Sequence, residues 1–171
     1  MRIVAVMMTM LALAACARQE PAAPVFRDTA RPIASAALFD WARFTGDWHV
    51  VARYPVAAEA GCAGGRVTYQ PGALDWQCLS ASGEILSRRQ GAASPAALPG
   101  RLAVDLGPGF PAELWLLWVD FDYRTLVIGT PDGQAGWVLD RTDAIPADRM
   151  AAAREMLDFN GYDLSRLVTT P

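Results

Sequence analysis

The motifs that mark covalent or acid–base catalysis are scarce in this 171-residue chain. All 15 basic residues are arginine, so a lysine Schiff base is excluded. His49 is the single histidine; it has no second His for a metal site and no apparent triad partner in sequence, which favours a surface role over catalysis. Neither a Gly-rich phosphate loop nor a nucleophile elbow is present. That leaves sulfur. Cys62 or Cys78, if free, could serve as a thiol nucleophile; if paired, they would close a loop of about 15 residues and stabilise the fold by about 3 kcal/mol. The turn Gln70–Ala73 lies between them but not midway, so a cross-hairpin pairing needs a bulge or bend in the first strand. The expectation is a disulfide, with no enzyme activity, no metal and no cofactor.

The third cysteine has a different setting. Met1-Arg2, the uncharged run Ile3–Leu13 and Leu13-Ala14-Ala15-Cys16 read as a signal segment over residues 1–15, its apolar core too short to span a bilayer. Leu-Ala-Ala-Cys resembles a bacterial lipobox, which implies lipidation of Cys16; Ala15-Cys16-Ala17 also fits ordinary secretion. Ala17 after the cysteine, by resemblance to enterobacterial sorting, points to the outer membrane with the folded domain in the periplasm. From Cys16 onward the chain keeps 14 arginines against 18 acids, a net charge of −4, and the arginines are scattered, so no nucleic-acid partner is expected. Residues 16–38, rich in Ala and Pro, read as a flexible tether before a domain at 39–171.

Within that domain, short apolar runs alternate with turn signals. Eight strands are predicted, over 47–54, 65–70, 74–80, 84–90, 101–105, 113–121, 124–130 and 134–141, separated by stretches such as PG, ASG, GPGFP and PDG. Sequential connections this short give an antiparallel up-and-down meander, and closing it into an eight-stranded barrel removes its edges. The period then changes. Pro146 to Gly161 reads as one helix, with Met150, Ala153 and Leu157 on a stripe that packs outside the barrel.

Period-two alternation assigns the inward faces. It places Val50, Ala52 and Tyr54 of the first strand inside with Trp48, then Val67 and Tyr69, Leu102 and Val104, Leu114, Leu116 and Trp118, Leu126 and Ile128, and Trp137 and Leu139. First and last strands are neighbours in a closed barrel, so Arg141 would stack on Trp48, plugging that end and leaving the other open. Trp115, Trp118 and Phe110 form a heavy aromatic load, some of it outward. This supports the rival reading of a filled barrel that acts as a protein-interaction module.

The opening DWARFTGDWHVVARYP, with Gly46 and Trp48, resembles that of lipocalins. The acidic-aromatic turn at Asp122-Tyr123 and Arg141 after the last strand are similar to the family's other signatures, and GYDLSRL to the C-terminal ends of bacterial lipocalins and apolipoprotein D. The resemblance covers about Asp40 to Val168. His49-Val50 replaces the Tyr-Glu usual after the Trp, and residues 57–111 match poorly. The resemblance implies a cavity for a fatty acid such as palmitate, or a lysophospholipid, carried or stored in the envelope; the expected state is a monomer or weak homodimer. Burying about ten methylenes at about 0.8 kcal/mol each suits micromolar or weaker affinity after binding costs. Arg53, Arg66, Arg88 and Arg89 are candidates to meet a head group at the mouth.

Overall fold

The eight alternating runs become eight strands: β1 Gly46–Arg53, β2 Gly64–Gln70, β3 Gly72–Leu79, β4 Ile85–Pro95, β5 Arg101–Asp105, β6 Glu113–Val119, β7 Thr125–Gly129 and β8 Gly136–Asp140. A one-turn helix α1, Trp41–Phe44, precedes them; α2, Ala147–Phe159, and a two-residue strand β9, Val168–Thr169, follow. The computed structural model describes residues 23–170, so the expected signal segment and Cys16 lie outside the described residues. Each of the strands β1 to β8 pairs antiparallel with its sequence neighbour, and β1 pairs with both β2 and β8, which closes the barrel. Where β1 runs past β2, β9 takes over that edge at Ala52 and Arg53. The backbone groups left by the shorter strand are thereby satisfied.

Two bulges decide which side chains see the interior. In β1, Val50 pairs with Leu139 and Ala52 with Val138, so Val51 is an extra residue. In β6, Leu116 pairs with Ile128 and Trp118 with Val127, so Leu117 is extra. One inserted residue reverses the alternation beyond it. Ala52, Tyr54 and Trp118, all placed inside by simple parity, therefore face outward, and Arg53 comes round to the side of Trp137.

The outward residues build a second apolar layer. Ala153 and Leu157 of α2 are fully buried, in one cluster with Val51, Ala52, Val127 and Val138. Met150 lies at its margin, which completes the stripe that the helical period predicts. Removing a leucine side chain of this kind from water stabilises by about 2 kcal/mol. Beyond α2, Gly161 at φ +85° turns the chain so that Tyr162 lies on the sheet. A Cβ on Gly129 would come within 2.6 Å of the Tyr162 hydroxyl, and one on Gly136 within 3.0 Å of its ring. The paired glycines make room for this ring, whose hydroxyl donates to the Ala135 carbonyl and accepts from the Thr130 amide, both at 2.8 Å.

The Ala/Pro segment differs from the expected tether over its described part. Phe26 and Arg27 are buried. The Phe26 ring sits 5.1 Å from Tyr54, its amide donates to the Gly133 carbonyl, and Arg27 donates to the carbonyls of Asn160, Pro131 and Arg31. From there the chain runs down the outside of the barrel, pairing Ala36 with Leu116 and Asp40 with the Tyr123 hydroxyl. It is a strap fastened at both ends of the barrel. Its apolar anchors, Phe26 and Ile33, are single residues without a period, which is why the pattern of the segment reads as coil.

Candidate functional site

The barrel has two unlike ends. At the end where β1 begins, Arg141 lies over the Trp48 indole, its guanidinium carbon 3.6 Å from the ring centroid. The same guanidinium donates to the carbonyls of Asp47, Arg43 and Thr45 at 2.8, 2.7 and 3.1 Å, and the Trp48 indole donates to Phe44 at 2.8 Å. Gly46 holds φ +101°, a region costly for other residues, and carries the chain from α1 into β1 beside Arg141. The expected stack is present. Behind it Phe44, Tyr69 and Trp41 pack ring to ring as a floor.

The signature turn at Asp122-Tyr123 is held by its neighbours. Asp122 makes a surface ion pair with Arg124 at 2.9 Å, and Tyr123 takes φ +59° so that its hydroxyl accepts from Asp40. The carboxylate that caps the turn is Asp120, which accepts the Arg124 and Thr125 amides at 2.6 and 2.7 Å. Burial pushes its pKa up, but these hydrogen bonds with that of the Arg124 side chain prevail and hold it below the ordinary value.

Between the ends, Val50, Tyr69, Leu114, Leu116, Leu126, Ile128, Trp137 and Leu139 share one buried interior cluster, as alternation assigns them. Leu74, Trp76, Ala93, Leu106 and Ala135 join it although the sequence reading did not single them out. Trp76 lies in the stretch that matches the resemblance poorly. A surface depression lined by Leu38, Trp41, Leu98 and Pro99 is outside the barrel and contains none of these residues.

The end expected to be open holds two inward-reaching groups. Phe110, from the β5–β6 loop, stacks on Trp137 with centroids 5.8 Å apart and meets the edge of Trp76 at 5.0 Å. From the β1–β2 loop a short 3-10 helix, Ala57–Glu59, turns Glu59 inward; only 6% of it is exposed. Its Oε1 accepts from the Trp76 indole at 2.8 Å and its Oε2 from the Trp137 indole at 2.9 Å. Burial pushes the Glu59 pKa up against the pull of those two donors and of Arg53, whose Nη1 is 3.8 Å away. Arg53 also donates to the Glu59 and Cys62 carbonyls. A buried carboxylate in a loop has no periodic signature, so alternation could not find it.

Of the arginines proposed for the mouth, Arg53 is there through the β1 bulge. Arg88 pairs with Asp75 on the outer surface at 2.7 Å, Arg66 is exposed, and Arg89 braces the carbonyls of Leu106 and Pro108. Cys62 and Cys78 are joined, their Cα atoms 5.3 Å apart, which fastens the far side of the Glu59 loop to β3. The asymmetric spacing is absorbed because Cys62 precedes β2 and Gly65, not Cys62, is the register partner of Cys78. Neither sulfur is then a free nucleophile.

An apolar eight-stranded barrel with one plugged end and a helix outside defines a binding-protein architecture of the lipocalin kind. Residues 39–171 match the family described as Lipocalin-like domain, and the chain belongs to that family. It is 34% identical over 59 residues to temperature-induced lipocalin-1 of Arabidopsis thaliana, a match covering 34% of this chain and 32% of that protein. The matched stretch thus spans about a third of the plant protein. Among solved structures, insecticyanin of the tobacco hornworm Manduca sexta superposes with TM-score 0.64 at 16% identity, over 82% of this chain and 84% of that one. Lobster apocrustacyanin A1 gives 0.63 at 15%, over 89% and 92%. At such identities the likeness concerns the fold.

Proposed function

We propose that this lipocalin binds an acyl lipid, a fatty acid or lysophospholipid, and stores or carries it in the bacterial envelope, anchored to the outer membrane through Cys16 with the barrel in the periplasm. The observation that carries the reading is the continuous apolar interior from Val50 to Leu139, met at its mouth by one cation, Arg53, and two indole donors. The leader and lipobox-like Cys16 support the location. Two acyl chains on one cysteine hold a protein at a bilayer, where one chain binds only reversibly. Val25 lies beside Phe26 at the mouth end, and the nine residues from Cys16 reach at most about 30 Å when fully extended. Acylated at Cys16, the protein would keep its mouth close to the lipid surface.

Native mass spectrometry of the chain from Ala17 onward, purified without detergent, tests the reading. A retained mass of a fatty acid or lysophospholipid is the expected result; an apo mass that persists after lipid is offered overturns it. The rival reading, a filled barrel acting as a protein-interaction module, draws on the ring-to-ring packing of Phe110, Trp76 and Trp137 across the mouth. The apo outcome would favour it.

A further inference from the structure

Within Pro55–Gly61, the loop that crosses the mouth, Glu59 is the one buried residue. Its neighbours Ala57, Ala58 and Ala60 offer a methyl group each, and Val56 is half-buried. Between Val56, which packs on the core, and the disulfide at Cys62, the loop is held in the mouth by a carboxylate and the groups around it. Those groups converge. Two indole N–H donors on different strands point at the two oxygens of one carboxylate, and a guanidinium stands beside it. Indole nitrogen donates and cannot accept, so a buried pair of this kind needs acceptor lone pairs, which a carboxylate supplies on two oxygens at once. Charge-assisted hydrogen bonds of this type are the stronger class, and here the two indoles and the guanidinium work against the burial that pushes a carboxylate's pKa up.

We propose that Trp76, Trp137 and Arg53 form a carboxylate-recognition site inside the barrel mouth, and that Glu59 fills it as a built-in substitute which the carboxylate of an incoming acyl acid displaces. The inference rests on the acyl-lipid reading and narrows it to free acids, since a lysophospholipid brings a phosphodiester and a polar head in place of a carboxylate. The exchange preserves the indole hydrogen bonds: the ligand oxygens take the two indole donors, Arg53 turns from the Glu59 carbonyl to the ligand, and Glu59 passes to water, where an ionised carboxylate is well solvated. Burial of the acyl chain against the interior wall then drives the exchange. The disulfide at Cys62 pins one base of the loop, Gly61 sits at φ +84°, and the small alanines beside Glu59 add little apolar packing, so the swing requires Arg53 to release the Glu59 carbonyl.

The test uses the chain from Ala17 onward, which contains the whole barrel and its strap, with hexadecanoic acid, hexadecanol and hexadecylamine as probes. In wild type, hydrogen exchange at amides 56–61 should speed up when the acid is bound, the reverse of the slowing that ordinary lid closure gives. Glu59→Ala should tighten the acid about tenfold by removing the competitor, and tighten the alcohol less. Trp137→Phe, a milder change that keeps the ring, should weaken the acid several-fold more than the alcohol. Equal effects on acid and alcohol, or slower exchange of the loop with acid bound, overturn the site while leaving acyl binding intact. Loss of hexadecylamine binding in Glu59→Ala with no gain for the acid would make Glu59 a partner for cations and overturn it as well. Failure of folded wild type and both variants to bind any probe sinks this inference and the acyl-lipid reading together.

Discussion

Arg141 covers the Trp48 indole at 3.6 Å and with the same guanidinium donates to the backbone carbonyls of Arg43, Thr45 and Asp47. One side chain thus ties β8 to α1 and to the start of β1. The stacking is worth about 0.5–2 kcal/mol, and each hydrogen bond to a charged group about 1.5–3 kcal/mol before overlap. Arg141→Ala should lower stability by about 3 kcal/mol, read as a drop in urea midpoint at unchanged slope. Arg141→Lys should recover only part of it, because an ammonium cannot stack and reach three carbonyls together. A loss under about 0.5 kcal/mol would mean that the plug is dispensable.

Asp140 is fully buried at the end of β8, accepting from Thr125, Thr142 and Arg149. Burial pushes its pKa up, yet the hydrogen bonds together outweigh that and leave it below the ordinary value of 3.8. A depressed folded pKa contributes stability that is present above 3.8 and lost as pH falls through the folded value. Asp140→Asn should therefore be destabilising at pH 7, and its deficit should shrink in acid below pH 3.8. Arg149→Ala, which strands the buried charge, should cost about 3–5 kcal/mol near neutrality. Urea titrations at several pH values check both.

Glu59 has the opposite sign. Its folded pKa is raised above 4.5 by burial, so its stabilising contribution is full below pH 4.5 and is lost as pH rises through the folded value. Glu59→Gln does not titrate. The stability of wild type relative to this variant should fall as pH climbs from 4.5 toward neutrality, and a flat difference over that range would contradict the assignment of a desolvated carboxylate.

Reducing the Cys62–Cys78 bond, or replacing both with serine, should cost about 3 kcal/mol for a loop of about 16 residues. The accompanying change should be local: faster hydrogen exchange in residues 55–63, with the α2 layer protected as before. Uniformly faster exchange throughout the barrel would show that the bond supports the whole fold.

Strand number, order and closure were legible because alternation and turn residues recur along the chain, and α2 was legible because Met150, Ala153 and Leu157 switch to a helical period. Arg141 and Trp48 were legible from closure alone. The faces of Ala52, Tyr54 and Trp118 were not. Val51 and Leu117, the extra residues of the two bulges, are ordinary strand formers among apolar neighbours, and nothing in their composition marks an insertion. Glu59 escaped for another reason: its partners, Trp76 and Trp137, are 17 and 78 residues away, and a loop carboxylate looks solvated until the ring of strands brings those indoles together.

The N-terminal strap also sets how the molecule responds to force. Tension applied at Val25 enters at Phe26 and Arg27, where the bonds to Gly133, Asn160, Pro131 and Asp163 are spread over the β7–β8 turn and the segment after α2. Several anchors must slip together there before the load can reach Ala36 or Asp40 farther down. A protein dragged by its leading end would thus dissipate the pull at the rim, with the Arg141 plug at the opposite pole mechanically shielded.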